Sequence, residues 1–168
     1  MTSSLVGSEM CIRDRFGVDV YLEPGEAVGW ECGDLISSVL DIVENEKNIA
    51  ILDTSAEAHM PDTVLMPYRP AVVGEKKSGK FEYRFGGNTC LAGDIVGLEE
   101  GDADYRFDKP LKVGDRVIFK DQIHYTIVKN TTFNGIKLPD LVLVDENADV
   151  IKKIAVSYTH LRAHETRR

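Results

Sequence analysis

Cys90 is the side chain in this sequence best suited to proton transfer. It lies in the segment 86–94, which reads GGNTCLAGD. A thiol has an ordinary pKa of about 8.5, which is close enough to neutral pH for general-acid catalysis. Glycines on both sides of Cys90 free the backbone for a tight loop. A free cysteine is more usually a small buried hydrophobic residue, but this glycine-rich polar context favours a catalytic role.

Three other short motifs are candidates for the same site. They are Glu23-Pro24-Gly25, His124-Tyr125-Thr126 and Phe133-Asn134-Gly135. Each has an ordinary explanation, because Pro-Gly and Asn-Gly pairs form turns and tyrosine is common in strands. A lone His59 is more often a hydrogen-bonded structural residue than a catalyst. No single motif therefore indicates a function; only their order along the chain and their occurrence together do.

Composition excludes several classes of protein. The formal net charge is −8, so the chain is a poor candidate for binding nucleic acid. No run is long and apolar enough to cross a bilayer, which predicts no membrane partner. Cys32 and Cys90 lack CxxC spacing and there is no histidine–carboxylate cluster, so neither a metal site nor a disulfide is expected. A reducing, cytoplasmic setting is the default, with Cys32 and Trp30 in the core.

The elements that must position these residues are predicted to be mainly strands. Alternating or β-branched runs separated by turn residues favour a sandwich or barrel. The segment 60–70 contains three prolines and is expected to be irregular. No segment has the apolar spacing of a full-length helix. The predicted strands are 19–22, 37–45, 48–53, 82–85, 94–97, 116–120, 125–129 and 141–144, with a hairpin formed by the second and third.

The two ends of the chain carry a different signal. Residues 4–14 and 156–166 are eleven consecutive pairs that the two strands of one inverted DNA repeat can encode. Protein function gives no reason for such a relationship, so residues 1–15 and 156–168 are interpreted as translated adapter sequence. Without these tails, which hold five basic and three acidic residues, the formal charge of residues 16–155 is −10. The predicted domain is residues 16–155.

In their order, the motifs resemble the pyridoxal-phosphate decarboxylases of the alanine-racemase-like fold. Within this ornithine, diaminopimelate and arginine decarboxylase family, several segments are similar to the carboxynorspermidine/carboxyspermidine branch. These are YLEPGEAV at 21–28, ILDTSA at 51–56, HMPD at 59–62 and MPYRP at 66–70. The resemblance implies a Greek-key-like C-terminal β-barrel, which in the family follows a (β/α)₈ barrel carrying the lysine that binds the cofactor.

The resemblance also implies roles in binding pyridoxal 5'-phosphate. Glu23 matches the carboxylate that keeps the pyridine nitrogen protonated, and Gly25 follows it in the cofactor-binding motif. Tyr125 matches a tyrosine that contacts the cofactor phosphate. Cys90 matches a residue that returns a proton to the substrate carbon after carbon dioxide has left. In the family its loop reaches across a homodimer interface into a shared active site.

Substrate contacts follow from the same resemblance. Many relatives have an arginine after Glu-Pro-Gly, whereas this chain has Glu26, an anion suited to a carboxylated polyamine or simply an exposed loop residue. Relatives acting on ornithine have an aspartate where this chain has Leu91. Asp94 matches an acidic residue that either meets a substrate amine or pairs within the interface. Phe133 matches a loop near the dimer site.

Two rival interpretations stay open. One is a diaminopimelate or ornithine decarboxylase barrel, against which Glu26 and Leu91 count. The other is a non-catalytic β-barrel binding module, which the strand-turn pattern at 112–119 would equally suit. No lysine of residues 16–155 lies in a setting typical of a covalent cofactor site. The chain is therefore expected to be a fragment of a polyamine-biosynthesis enzyme and inactive on its own.

Overall fold

The fold centres on a five-stranded sheet. The computed structural model describes residues 12–21, 25–97 and 104–154, with the side chain of residue 26 left out. The strand order is β4-β3-β2-β1-β5, and neighbours are antiparallel except for the parallel pair β2–β3. The strands are β1 Leu35–Asn45, β2 Lys47–Leu52, β3 Phe81–Gly86, β4 Tyr105–Phe107 and β5 Arg116–Phe119.

Two further strands and several short helical turns complete the described residues. β6 (Leu141–Val144) and β7 (Val150–Ile154) form a separate antiparallel hairpin that is exposed along its whole length. Residues 12–16 are also helical. The other helices are α1 Gly25–Val28, α2 Ala56–His59, α3 Asp62–Leu65, α4 Tyr125–Val128 and the 3₁₀ turn Phe133–Gly135.

Alternation along the strands builds the core on one face of the sheet. In β1 the side chains of Leu35, Ser37 and Val39 are buried, while their neighbours are exposed or half-buried, as the two-residue period of a strand requires. The centre of the core is Phe85, whose ring centroid lies 4.7 Å from that of Tyr105 and 5.6 Å from that of Phe119. Burying such rings is the main stabilising contribution to the sheet. The prediction of a mainly β domain is confirmed, and the predicted barrel takes the form of a curled sheet, a half-barrel.

The parallel pairing of β2 with β3 decides where the candidate site lies. Ile49, Ala50 and Ile51 pair with Arg84, Phe85 and Gly86. Parallel strands run in the same direction, so the chain leaves both of them at the same edge of the sheet. The connection between them, residues 53–80, begins at this edge with α2. The loop of residues 87–94, called the Cys90 loop below, leaves β3 at the same edge.

Several local predictions are wrong. Residues 125–129 form a helical turn rather than a strand, because main-chain hydrogen bonds run from Ile127 and Val128 back to the carbonyl of His124. Residues 19–21 have no regular structure, and 22 lies outside the described residues. The predicted strand 94–97 is reduced to one bridge, between Gly86 and Ile95.

Two further predictions need correction. The segment 60–70 was expected to be irregular but contains α3, which begins directly after Pro61 at its N-cap, a position that proline tolerates. Trp30 and Cys32 are not core residues, since Trp30 is 59% exposed and Cys32 is an exposed free cysteine. Both lie just after α1, away from the buried face of the sheet. β4 and β7 were not predicted.

Within residues 12–21, 25–97 and 104–154, no helix has the length and apolar character needed to span a bilayer. The same part of the chain holds no group of three or more histidine, cysteine or acidic side chains arranged to bind a metal ion.

Candidate active site

The Cys90 loop brings its thiol to the surface beside a segment distant in sequence. Cys90 is exposed, and the side-chain amide of Asn134 donates a hydrogen bond of 3.3 Å to its sulfur. Asn134 adopts a left-handed backbone conformation (φ 55°) within the 3₁₀ turn, which asparagine tolerates better than most residues. The sulfur accepts in this contact, so the thiol proton remains free to be donated. The structure thus brings together Cys90 and the Phe133–Gly135 motif.

Asp94 lies beneath the Cys90 loop and joins it to α2. Its carboxylate is 3% exposed. Oδ1 accepts hydrogen bonds from Ser55 Oγ at 2.9 Å and from the main-chain nitrogen of Ala56 at 2.7 Å. Oδ2 accepts from the hydroxyl of Thr89 at 2.5 Å and from its main-chain nitrogen at 3.3 Å. Both oxygens are therefore committed to the protein, which supports the structural role for Asp94 over direct contact with substrate.

Gly87 allows this carboxylate to approach the loop. Its main-chain nitrogen donates a 2.7 Å hydrogen bond to the carbonyl of Asp94. A Cβ at position 87 would lie 2.1 Å from Asp94 Oδ2, far inside van der Waals contact. Glycine is required at position 87 because of the buried acid.

His59 is a buried structural residue of α2. Its side chain is 1% exposed, and Nδ1 accepts a 3.2 Å hydrogen bond from the main-chain nitrogen of Ser55. Nε2 has no well-formed hydrogen bond among the described residues, although the main chain at Lys137 favours the protonated ring. Burial outweighs this effect and the attraction of Asp94 and Asp53, and it holds the pKa of His59 below its usual value. The neutral imidazole serves packing, as the sequence suggested for a lone histidine.

An open groove of about 650 Å³ is lined by residues of α2 and α3 and by the segment 129–133. Phe133, which is 40% exposed, forms part of its wall and is next in sequence to Asn134, the residue that contacts Cys90. The groove combines apolar walls with hydroxyls and one carboxylate. Its lining includes Glu57, Pro61, Leu65, Lys129, Thr131 and Phe133.

Tyr125 contacts Lys129, which is one of the residues lining the groove. The ammonium group of Lys129 is 4.6 Å from the centroid of the Tyr125 ring and donates a 2.7 Å hydrogen bond to Asp62 Oδ1. Tyr125 is 55% exposed, and its hydroxyl makes no hydrogen bond with another described residue. Lys129 therefore links the tyrosine to the groove while its own charge is balanced by Asp62.

The remaining predicted residues are not part of this arrangement as described. Glu23 lies outside the described residues, and the side chain of Glu26 is not among those described. Gly25 is the exposed first residue of α1, and a Cβ there would meet nothing within 4 Å. Their cofactor and substrate roles stay predictions. Sequence reasoning missed Ser55 and the particular role of Gly87, because nothing local shows that Asp94 folds back onto α2.

The family model described as "Pyridoxal-dependent decarboxylase, C-terminal sheet domain" matches residues 3–122. The chain belongs to this family. The match begins within the segment 1–15 that the sequence analysis set apart.

Two curated relatives show which kinds of decarboxylase in this family the chain is similar to. The chain is 56% identical over 150 residues to the carboxynorspermidine/carboxyspermidine decarboxylase of Campylobacter jejuni, covering 82% of this chain and 38% of that protein. It is 52% identical over 123 residues to the carboxyaminopropylagmatine decarboxylase of Synechocystis sp., covering 71% of this chain and 30% of that protein. The chain thus spans less than two fifths of the length of either relative.

Solved structures agree with this similarity. The carboxynorspermidine decarboxylase of Campylobacter jejuni, crystallised in complex with norspermidine, matches with a TM-score of 0.75 and 52% identity over 91% of this chain and 44% of that one. The arginine decarboxylase of Paramecium bursaria Chlorella virus bound to agmatine matches with a TM-score of 0.60 and 21% identity, over 74% of this chain and 34% of that one. The second likeness shows the fold alone.

Proposed function

We propose that this chain is the C-terminal domain of a pyridoxal-phosphate-dependent decarboxylase that converts carboxynorspermidine or carboxyspermidine to norspermidine or spermidine. The observation that carries the proposal is the 56% identity to an enzyme of that name, combined with an exposed Cys90 whose sulfur is held by Asn134. The reaction is a step of polyamine biosynthesis. The chain alone, which matches only the sheet domain of the family, is expected to be inactive.

One hydrogen-bond donor among the described residues fits the cofactor. The phenol of Tyr125 is exposed and makes no hydrogen bond with another described residue, so it is available to donate to a phosphate oxygen. Glu23 would hold the pyridine nitrogen protonated, with Gly25 close by. When bound, pyridoxal phosphate supplies electron withdrawal that weakens the bond to the departing carboxylate. The cofactor-binding lysine would come from the part of the enzyme that this chain does not match.

Cys90 would perform the proton transfer that completes the reaction. After carbon dioxide leaves, the substrate carbon needs a proton from a group placed within hydrogen-bonding reach. The thiol of Cys90 is exposed, and its sulfur is the acceptor in the contact with Asn134, so this contact does not use the thiol as a donor. Asp94, through Thr89, would fix the loop so that the thiol reaches the carbon in one orientation.

The same proposal includes the oligomeric state of the enzyme and its cellular compartment. The enzyme is proposed to be a homodimer in which Cys90 and Phe133 of one subunit complete the site of the other. The exposed apolar hairpin β6–β7 supports an arrangement in which further protein covers this surface. Both cysteines among the described residues are free thiols, which supports a reducing cytoplasm. The ligand would be a carboxylated polyamine, with no nucleic acid or membrane involved.

One other substrate has specific support. The 52% identity to a carboxyaminopropylagmatine decarboxylase makes carboxyaminopropylagmatine a second candidate. Diaminopimelate is disfavoured, because the identity to the diaminopimelate decarboxylase of Buchnera aphidicola is only 28%.

The test is a comparison of substrates with the complete enzyme that carries this domain, loaded with pyridoxal phosphate. Carbon dioxide release is measured from carboxynorspermidine, carboxyspermidine, carboxyaminopropylagmatine, meso-diaminopimelate and ornithine. The highest kcat/KM for one of the first two supports the proposal. A preference for carboxyaminopropylagmatine selects the second candidate, and a preference for diaminopimelate or ornithine overturns both. Turnover by the 168-residue chain alone would contradict its expected inactivity.

A further inference from the structure

We infer that His124 is a positioning residue: it sets the direction of the Tyr125 phenol and ties that direction to the segment that begins at Gly25. The inference rests on the proposed function, in which Tyr125 and Gly25 belong to the cofactor-binding set. It gives a role to His124, whose motif pointed only to Tyr125.

The first observation is the backbone conformation of His124, the residue directly before Tyr125. Its φ is 56° and its ψ is −116°, far from the left-handed helical region that residues with side chains tolerate. Its carbonyl accepts the hydrogen bonds from Ile127 and Val128 that begin α4, and Tyr125 is the first residue of that helix. His124 therefore fixes the angle at which Tyr125 leaves the preceding chain. Such strain persists only where surrounding contacts hold it, and it is common at ligand sites.

The second observation is that the His124 ring fills the space beside Gly29, the residue that follows α1. A Cβ at position 29 would lie 2.2 Å from Cε1 of the ring and 3.0 Å from Nε2, so a side chain there would displace the ring. Nε2 is buried and has no hydrogen-bond partner among the described residues. Burying a polar atom without a partner costs stability, so hydrogen bonding does not explain the position of the ring. The ring is a spacer between the end of α1 and the start of α4.

The third observation is that residues 29–34 and 121–124 are joined by hydrogen bonds; the two segments together are called the clasp below. Three bonds join them: from the main-chain nitrogen of Glu31 to Asp121 Oδ1 at 2.8 Å, from that of Asp121 to Asp34 Oδ1 at 2.9 Å, and from that of Gln122 to the carbonyl of Gly33 at 2.8 Å. Glu31 and Asp121 also have positive φ angles, of 56° and 55°. The clasp therefore holds the strained backbone of His124 from a part of the chain about ninety residues away.

The clasp connects two parts of the proposed cofactor site. One of its segments follows α1, which begins at Gly25, and the other leads directly into Tyr125. In the proposed function, residues 23–25 meet the pyridine ring and Tyr125 donates to the phosphate. A fixed relation between the two segments lets one cofactor satisfy both contacts, and His124 is the side chain that sets this relation.

The experiment measures cofactor affinity rather than turnover. The complete enzyme is freed of cofactor and titrated with pyridoxal 5'-phosphate and, separately, with pyridoxal, which lacks the phosphate. The variants are His124→Gly and Glu46→Gly. Glu46 is an exposed residue with φ 60° in the turn between β1 and β2, so the control replaces another positive-φ residue by glycine away from the clasp. The melting temperature of each protein is measured in parallel.

The expected result is that His124→Gly weakens binding of pyridoxal 5'-phosphate about tenfold, the loss of one charge-assisted hydrogen bond. Binding of pyridoxal should change much less, because the group that Tyr125 contacts is absent. The melting temperature should be preserved, since glycine adopts a positive φ without strain. Glu46→Gly should bind both probes as the unsubstituted enzyme does. Unchanged affinity for pyridoxal 5'-phosphate in His124→Gly, or equal weakening of both probes, would overturn the inference.

A second variant tests the contact with Gly29 itself. Gly29→Ala should displace the His124 ring and weaken binding of pyridoxal 5'-phosphate by a similar factor. In the double variant with His124→Gly the added methyl group has room, so the loss should be no greater than in either single variant. Losses that add in the double variant would show that the two positions act separately, and the inference would be wrong.

Failure of the inference and failure of the proposed function are distinguishable. If the unsubstituted enzyme neither binds pyridoxal 5'-phosphate nor decarboxylates a polyamine precursor, the proposed function is wrong. If it does both while His124→Gly keeps full affinity for the cofactor, the function stands and the role given to His124 is wrong.

Discussion

The carboxylate of Asp94 and the main chain of Gly87 are packed so closely that no side chain fits at position 87. A Cβ there would lie 2.1 Å from Oδ2 and 2.5 Å from Oδ1 of Asp94. The same carboxylate holds Thr89, the residue before Cys90. The position of the candidate catalytic thiol therefore depends on a buried acid and on the glycine that makes room for it.

Gly87→Ala is expected to displace the Asp94 carboxylate and destabilise the domain by about 1–3 kcal/mol, the usual cost of forcing an extra methyl group into a packed site. Thermal unfolding of the complete enzyme measures the effect. Gly93→Ala is the matched control, because a Cβ at position 93 would meet nothing within 4 Å. Equal melting temperatures for the two variants would contradict the role given to Gly87.

Cys90→Ala in the complete enzyme is expected to lower the decarboxylation rate about 10²–10⁴-fold, the usual contribution of a positioned general acid. The far-ultraviolet circular dichroism and the melting temperature should be unchanged, because Cys90 is exposed. Cys32→Ala, which removes the other exposed free thiol, is the control and should retain full activity. A stability loss with normal turnover in Cys90→Ala would instead favour a packing role for this cysteine.

The pH dependence of stability should report the buried His59. Its pKa in the folded chain lies below the ordinary value of 6.5, chiefly because of burial. Below pH 6.5 the unfolded chain therefore binds more protons than the folded one, and stability falls as the pH is lowered toward the folded-state pKa. His59→Asn removes the ionisable ring.

The measurement for this prediction is the urea midpoint of the complete enzyme between pH 7.5 and pH 5, with and without His59→Asn. The variant should be less stable at pH 7.5, because it loses packing in the core, and should show a shallower decline toward pH 5. Burial would raise the pKa of Asp104, but hydrogen bonds from Lys47 and Arg84 outweigh it, so the pKa is lowered. The stability that Asp104 contributes is lost only when the pH falls below its ordinary pKa of 3.8, outside the range measured. Parallel curves for the two proteins would rule out His59 as the titrating group.

The terminal segments make a prediction about DNA. Sequencing the source sample with a method that adds no adapters should replace residues 4–14 and 156–166 with unrelated codons. The alternative is that the first segment belongs to the protein, which the match of the family model from residue 3 onward favours. Recovery of the same codons at both ends would show that these segments are genuine and that the interpretation as translated adapter is wrong.

The local pattern of the sequence was enough to predict much of the sheet. Runs such as 37–45, 48–53 and 116–120 contain β-branched residues that favour a strand, and the structure has β1, β2 and β5 at these positions. The segment 125–129 was misleading because its β-branched residues favour a strand. Local hydrogen bonds decide otherwise there: the main-chain nitrogens of Ile127 and Val128 donate to the carbonyl of His124, and the hydroxyl of the buried Thr126 donates to Gln122 Oε1 at 3.4 Å.

The candidate site was only partly predictable. The motifs identified Cys90 and Phe133, and the structure brings their loops together. The support of the Cys90 loop by α2 could not be found from sequence, because it depends on the parallel pairing of β2 with β3. The contact between Asp94 and Ser55 spans 39 residues, a separation at which local patterns carry no information about which residues meet.

The parallel pair β2–β3 also has a kinetic consequence. Its strands cannot pair until the intervening residues 53–80 have closed a loop, and closing such a loop costs conformational entropy before any contact compensates for it. Contacts between residues distant in sequence generally form slowly. Since α2 and the Cys90 loop leave the sheet at this edge, the position of the thiol relative to α2 depends on this loop closure. The β1–β2 hairpin, whose strands are joined by residue 46 alone, needs no such closure.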